Sequence, residues 1–157
     1  MVILNIVEGN LLDATEKYIC HQCNSLSKTS YGLSKSIANK FKWADIYKIR
    51  AIDSYNNPDM YTVGNVIEFK NPTDENNGPN ILCFISQMHP SKFKKSGDDT
   101  YTNRKIWFQE CLQYIDNNNY PCIAMPYYIG CGLAGGIWDD YEKMLQECTT
   151  EIVLYRL

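Results

Sequence analysis

Histidine, excess positive charge and long apolar runs are all scarce in this sequence. The 157 residues include two histidines, His21 and His89, which argues against a histidine-rich metal centre. The net charge is −3, so a broad basic surface for duplex nucleic acid is not expected. No stretch approaches the ~20 apolar residues of a membrane span, and the first apolar run breaks at Asn5 without a basic leader. We therefore expect a soluble protein without a signal peptide or a membrane partner.

Cysteine, in contrast, is abundant, with seven residues in the chain. The number is odd and most cysteines lie in apolar runs, as Cys83 does, which is typical of free buried thiols. Cys20 and Cys23 form a C-x-x-C, but on a strand their thiols would point to opposite faces, and no second pair completes four zinc ligands. The sequence thus predicts no metal, no cofactor and a reducing compartment, cytoplasmic or nuclear.

Short apolar runs of strand character alternate with amphipathic helical patterns along most of the chain. With one hairpin-like pair in the middle, this order predicts an α/β fold in one domain, residues 1–157, in which helices cover both faces of a mixed sheet. The segment 71–79 is predicted to be an exposed loop. Strands are predicted at 2–7, 18–24, 65–70, 80–87, from 122 and at 151–157, and helices at 11–17 (a short helix or turn), from 32, at 43–52, at 102–117 and from 138.

The segment 122–138 is the strongest indication of a binding site. An apolar run is followed by four glycines and then by a periodic helix that begins at Trp138. Glycine allows the backbone to approach a ligand closely, and the amides that follow can point at an anion. One such turn is weak evidence for a phosphate site.

A second anion site is predicted where another helix begins, at residues 30–34. Leu33, Ile37 and Phe41 recur with helical spacing, and Gly32 stands at the start of the helix. The first amides of a helix have no partner within it and carry partial positive charge. A helix capped by a serine, with nothing bound, is the alternative that the segment leaves open. Two such loops at one sheet edge would suit a nucleoside diphosphate.

Three groups of residues in the chain then resemble, in the correct order, the motifs of a macrodomain. They are Glu8-Gly9-Asn10-Leu11-Leu12; His21-Gln22-Cys23-Asn24 with Tyr31-Gly32-Leu33-Ser34-Lys35-Ser36-Ile37; and Met125-Pro126 through Ile129-Gly130-Cys131-Gly132-Leu133 with Trp138. The likeness covers nearly the whole chain and is closest to the branch that contains ADP-ribose-1''-phosphate phosphatases and terminal ADP-ribose glycohydrolases. It implies a three-layer α/β/α sandwich that binds ADP-ribose as a monomer.

The resemblance also implies a role for each segment. Residues 9–11 would face adenine, residues 32–34 and 129–133 would hold the diphosphate, and residues 21–24 would lie beside the distal ribose. His21 and Asn24 are the candidate catalytic residues. The candidate ligand-binding residues are Gly9, Asn10, Leu11, Gln22, Ser30, Tyr31, Gly32, Leu33, Ser34, Gln87, Ile129, Gly130, Cys131, Gly132 and Leu133.

At three positions the chain departs from the family's pattern. Many macrodomains have an aspartate where this chain has Asn10. The glycohydrolases that resemble it use a lysine and an aspartate, which fall here on Gln87 and Ala134. A glutamine cannot form a Schiff base and an alanine cannot act as a base, so that covalent mechanism is not expected.

Hydrolysis of an ADP-ribose derivative is the leading functional hypothesis, most of all removal of the 1''-phosphate, with de-ADP-ribosylation as a close variant. The phosphatases of the branch resemble this chain in having a histidine at the position of His21, whose ordinary pKa near ~6.5 suits proton transfer to a leaving oxygen. Asn24 would orient the distal ribose. The amides at 130–133 would stabilise charge on the phosphoryl oxygens.

Two alternatives remain open from the sequence. In the first alternative, the chain is a reader that binds ADP-ribose and catalyses no reaction, and the absence of the lysine and the aspartate favours it. A weaker hypothesis is single-stranded RNA binding through Tyr31, Tyr127 and Tyr128, against which the negative net charge counts.

Overall fold

A mixed six-stranded sheet forms the middle layer of the computed structural model, which describes residues 4–73 and 78–157. The strand order is β1-β6-β5-β2-β4-β3, and every neighbouring pair is parallel except the antiparallel pair β3 and β4. The hairpin-like pair predicted from the sequence is thus confirmed. The strands are β1 (Asn5–Glu8), β2 (Tyr18–Asn24), β3 (Val66–Phe69), β4 (Asn80–Gln87), β5 (Cys122–Pro126) and β6 (Glu151–Arg156). Residues 2 and 3 of the first predicted strand, and residues 74–77 of the predicted loop 71–79, lie outside the described ranges.

Helices cover both faces of this sheet, which confirms the predicted three-layer α/β/α sandwich. They are α1 (Gly32–Lys40), α2 (Ile46–Asp53), α3 (Tyr101–Asn117) and α4 (Trp138–Glu147), with short 3-10 helices at Leu11–Asp13 and Lys42–Ala44. The single helical stretch predicted at 43–52 is wrong, because it divides into a 3-10 turn and α2. Asp45 separates the two by accepting a hydrogen bond from the Lys48 amide at 3.2 Å and so capping α2.

Two apolar cores lie on the two sides of the sheet. One packs β2, β4, β5 and β6 against α3 and α4, and in it Phe108 meets Phe84 and Tyr141 edge to face. The other packs the opposite side of the sheet against α1 and α2 around Ile37. Residues 81–85 of β4 are fully buried because both cores cover that strand, as its uninterrupted apolar run predicts.

The C-x-x-C cysteines are divided between these cores, as strand alternation predicts. Cys20 belongs to the core under α3 and α4, and Cys23 to the core under α1 and α2. All seven cysteines are free thiols. Within the described ranges, no helix is both long and apolar enough to cross a bilayer.

The parallel strands end at a common edge of the sheet, which positions the site. The carboxyl ends of β2, β4 and β5 are central in the strand order. The ladder between β2 and β4 shifts after Cys23, so that Asn24 pairs with Gln87 instead of the next residue along β4. This irregularity lies where β2 leaves the sheet towards the loop before α1.

Candidate functional site

A cleft of about 380 Å³, called the cleft from here on, opens at the carboxyl ends of β2, β4 and β5. It brings together most of the binding residues predicted from the sequence: Gln22, Asn24, Tyr31, Gly32, Leu33, Ser34, Gln87, Ile129, Gly130, Cys131, Gly132 and Leu133. The sequence reasoning did not assign Tyr47, Pro90, Ser91 and Pro126 to it. Gly32 and Gly132, from distant parts of the chain, therefore share one concave site.

The first turn of α1 forms one wall of the cleft. Tyr31 is the residue that precedes the helix, with an extended backbone, and its side chain does not cap the helix. No serine therefore caps α1, and binding of an anion at this helix end remains a prediction. Gly32 has a φ of +55°, in the left-handed region that favours glycine, and a side chain there would point into open space. The opening amides of α1 are left available for an anion in the cleft.

The segment between β5 and α4 forms the opposite wall. Its turns are held by hydrogen bonds from the Cys131 amide to Tyr128 O at 2.8 Å and from the Gly136 amide to Gly130 O at 3.1 Å. Gly130 has a φ of +80°, and a Cβ on it would lie 2.5 Å from the Tyr141 ring. Gly130 is thus required by packing and by backbone conformation.

Gly132 has neither constraint, because its φ is not positive and a Cβ there would meet nothing within 4 Å. Among the residues described, none accepts a hydrogen bond from the Gly132 or Leu133 amide. Both residues are exposed on the cleft. These amides can donate to an anion at little cost in reorganisation.

A network of carboxamides connects β2 with the end of β4. Gln22 Nε2 donates to Gln87 Oε1 at 2.6 Å, and Gln22 Oε1 accepts from the Ser86 hydroxyl at 2.7 Å. Gln87 Nε2 in turn donates to His89 O at 2.9 Å. Gln87 is therefore a neutral side chain that its neighbours hold in place.

Asn24 organises the loop that follows β2. Its Oδ1 accepts from the Leu26 and Ser27 amides at 3.1 and 2.8 Å, and its Nδ2 donates to the Tyr47 hydroxyl at 3.3 Å. Arg50 of α2 donates to Asn24 O at 2.6 Å. Most of the hydrogen-bonding capacity of Asn24 is therefore used to hold the loop, and one Nδ2 proton is left for the cleft.

His21 does not line the cleft, which corrects the placement expected from the sequence. Its side chain is 2% exposed, on the same face of β2 as Ile19 and Cys23, because alternate residues of a strand share a face. His21 Nδ1 lies 3.0 Å from Ser34 Oγ, and Ser34 does line the cleft. Ser34 thus lies between the His21 ring and the cleft. The alternation of β2 could have revealed this.

Two sulfur atoms also lie close to the His21 ring nitrogens. Cys83 Sγ is 3.3 Å from Nε2, and Cys23 Sγ is 3.5 and 3.6 Å from Nδ1 and Nε2. Burial raises the pKa of Cys23, but the hydrogen bond from Cys83 and the nearby His21 outweigh it and place that pKa well below its usual range. Burial and the neighbouring Cys23 raise the pKa of Cys83.

Four other predicted residues also lie outside the cleft lining: Gly9, Asn10, Leu11 and Ser30. Asn10 caps the 3-10 helix Leu11–Asp13, since its Oδ1 accepts from the Leu12 amide at 3.0 Å. Leu11 is buried in the core under α1. Asn10 is thus a capping residue of this turn, and an adenine contact by 9–11 remains a prediction.

A buried ion pair that the sequence did not reveal holds the mouth of the cleft. Arg104 of α3 contacts Asp99 at 2.7 Å, and both side chains are 1% exposed. The guanidinium also donates to Ser91 O at 2.8 Å and to Ala134 O at 3.3 Å, and both of those residues line the cleft. Asp99 follows a polar segment rich in lysine, but its pairing with Arg104, 5 residues further along the chain, keeps its side chain buried.

The cleft has no formal charge of its own. Its lining has no aspartate, glutamate, lysine, arginine or histidine among the described residues. Cys131 is its one thiol, and burial together with the Asp140 carboxylate raises the pKa of Cys131 to about 12. The lining therefore offers backbone amides, carboxamides and hydroxyls, which suit neutral and anionic ligands.

Comparison with known proteins identifies the fold. No protein-family model and no curated protein matches the chain. The macrodomain of Thermus aquaticus DarG is similar in structure, with a TM-score of 0.70 and 18% identity over 100% of both chains. A Bacteroides thetaiotaomicron protein of unknown function has a TM-score of 0.72 and 21% identity over 99% of both chains.

A third similar structure is Thermosipho africanus DarTG in complex with ADP-ribose, with a TM-score of 0.68 and 17% identity. That match covers 96% of this chain and 40% of the other. The chain thus has the macrodomain fold, as its motifs predict.

Proposed function

We propose that this chain, built on the macrodomain fold, binds ADP-ribose with the diphosphate between the first turn of α1 and the segment between β5 and α4. One observation carries the proposal: Gly32 and Gly132, each next to available backbone amides, line the same cleft. A similar structure is named as a complex with ADP-ribose. The binding mode is therefore argued from this chain's own loops and supported by that neighbour.

The chemistry of the cleft favours a diphosphate over a single phosphate or a cation. Two groups of amides from opposite walls can each donate to one phosphoryl group, and glycine at both places permits close approach. No carboxylate in the described lining repels the ligand. The side chains of Gln22 and Asn24 lie at the end of β2, where hydroxyls of a ribose would accept or donate hydrogen bonds.

Hydrolysis of the 1''-phosphate is a second candidate function, and the contact between His21 and Ser34 is the observation that favours it. In this reaction a water oxygen forms a bond to phosphorus and passes one proton to an oxygen of the released phosphate, while the bond from phosphorus to the 1''-oxygen breaks. The leaving oxygen needs a proton, and Ser34 can deliver one from the cleft wall if His21 replaces it across the 3.0 Å contact. De-ADP-ribosylation would place the same demand on the leaving group.

The neutral lining favours binding without chemistry. Gln87 and Ala134 supply neither a nucleophilic amine nor a base, and His21 is shielded from the cleft. We therefore rank ADP-ribose binding first and hydrolysis second.

Calorimetry with ADP-ribose tests the binding proposal. AMP and ribose 5-phosphate, which lack a diphosphate, serve as controls and are expected to bind at least ~10-fold more weakly, a difference of about 1.4 kcal/mol. A silent titration with ADP-ribose, or equal affinity for AMP, would contradict the proposal. Incubation with ADP-ribose-1''-phosphate, followed by an assay for released phosphate, then separates an enzyme from a reader.

A further inference from the structure

Three potential metal ligands meet on one face of the sheet, behind the cleft wall. His21 and Cys23 are two residues apart on β2, and Cys83 is the partner of His21 in the register with β4. Their ligand atoms all lie within 4.8 Å of one another, and all three residues are buried. The C-x-x-C pattern in the sequence pairs Cys20 with Cys23 and gives no indication of this group, because Cys83 comes from a neighbouring strand.

We infer that His21, Cys23 and Cys83 bind a zinc ion. A sulfur and a nitrogen that share one tetrahedral zinc, at about 2.3 and 2.0–2.1 Å from it, lie about 3.6 Å apart. Cys83 Sγ and Cys23 Sγ are 3.3 and 3.6 Å from His21 Nε2. The separations of the two sulfurs from Nε2 therefore fit a site with three protein ligands.

The hydrogen bond between His21 and Ser34 prepares the imidazole for this role. A metal-binding histidine typically donates its other ring N–H to an oxygen, which fixes the tautomer and the ring orientation. Here Nδ1 lies 3.0 Å from Ser34 Oγ, so a proton on Nδ1 leaves Nε2, which lies 3.3 Å from Cys83 Sγ, unprotonated and able to bind a metal. Ser34 thus acts as a positioning residue for the proposed site, whether or not the cleft performs chemistry.

Charge balance favours a divalent, thiolate-binding ion. Two buried thiolates would be costly without a counterion, and one Zn²⁺ with two thiolates is neutral. The exposure of Cys83, Cys23 and His21 is 0%, 1% and 2%. Hard oxygen-seeking cations such as Mg²⁺ find no carboxylate or carbonyl set among these ligands.

Metal titration of the purified, reduced and metal-stripped protein tests the inference. Zn²⁺ in competition with a chromophoric chelator should bind at one equivalent per chain, and Co²⁺ should give thiolate-to-metal charge-transfer absorption. Cys23→Ala and Cys83→Ala should each lower the Zn²⁺ affinity by more than ~100-fold, and Ser34→Ala by ~10–100-fold. Cys20→Ala is the matched control, because Cys20 lies on the same strand, is equally buried and faces the other core.

Equal Zn²⁺ affinity of the Cys20→Ala and Cys23→Ala proteins would overturn the inference. If the ligand variants fail to fold, the wild-type protein decides alone. Zn²⁺ should raise the Tm of the wild-type protein, because a ligand that binds only the folded state stabilises it. Addition of a chelator should reverse this increase. A wild-type Co²⁺ spectrum without thiolate charge transfer, or a Tm that Zn²⁺ leaves unchanged, would equally reject the site. ADP-ribose binding is measured separately, so failure of one proposal does not imply failure of the other.

Discussion

Replacing Gly132 by glutamate should abolish ADP-ribose binding without disturbing the fold. Gly132 has no positive φ, and a Cβ there would meet nothing within 4 Å, so the structure accepts a side chain at this position. Gly132 lines the cleft, so the new side chain would lie next to the amides proposed to hold the diphosphate. The substitution therefore perturbs the ligand site and little else.

The size of the effect follows from electrostatics. Two unit charges about 4 Å apart at an effective dielectric constant of about 20 interact by about 4 kcal/mol, which is almost three orders of magnitude in Kd. Gly132→Glu should therefore weaken binding by at least ~100-fold even if the new carboxylate moves partly away. Gly132→Gln has the same shape without the charge and separates repulsion from steric filling, and Gly132→Ala should bind almost as the wild type does.

The assay is calorimetric titration with ADP-ribose, accompanied by thermal unfolding of each variant. All three variants should unfold within a few degrees of the wild type, because no backbone strain or clash is introduced. Retained ADP-ribose affinity in a folded Gly132→Glu protein would refute the reasoning, since it would mean that this loop does not contact the diphosphate.

Four further predictions concern the buried ion pair, the proton relay and the core. Asp99→Asn should lower the free energy of unfolding by about 3–5 kcal/mol, because it leaves Arg104 buried without its counter-charge. Burial raises the pKa of Asp99, but hydrogen bonds from Arg104, His89 and Met88 outweigh burial and lower it overall. In urea titrations, the wild-type free energy of unfolding should therefore be at its full value above about pH 4 and fall in more acidic buffer. A free energy that does not change with pH would contradict this. If the chain hydrolyses ADP-ribose-1''-phosphate, His21→Ala should lower kcat by at least ~100-fold. The affinity for ADP-ribose should stay nearly unchanged, because Ser34 lies between His21 and the cleft. Unchanged turnover would remove His21 from the mechanism. Phe108→Ala should lower the free energy of unfolding, measured by denaturant titration, by about 3–5 kcal/mol, because Phe108 is fully buried. A decrease below about 1 kcal/mol would contradict the central position of Phe108 in this core.

The elements of the fold could be predicted from local patterns because most strands and helices are locally unambiguous. β4 is apolar from 81 to 85, which matches its burial on both faces. β2 was predicted with the bounds that the structure gives it. The exception is the stretch at 43–52, where a single capping residue, Asp45, outweighs continuous helical character.

The site could be predicted only as far as it is made of contiguous segments. The two glycine segments were located because each has its own local composition, and their convergence follows from the common edge of parallel strands. Asp99 with Arg104, and Cys83 with His21, are pairs that tertiary packing creates, and their spacing in the sequence gives no indication of contact. The direction of His21 was accessible from strand alternation, since Ile19 and Cys23 share its face.

A crystal structure of the complex with ADP-ribose tests the central claim most directly. The account predicts diphosphate oxygens within about 2.7–3.2 Å of amide nitrogens from both Gly32–Ser34 and Gly132–Leu133, in one cleft. Ligand density elsewhere would contradict it, for example in the neighbouring cavity of about 600 Å³ that Arg50 and Tyr55 line. A ligand in the cleft that touches only one of the two loops would contradict it as well.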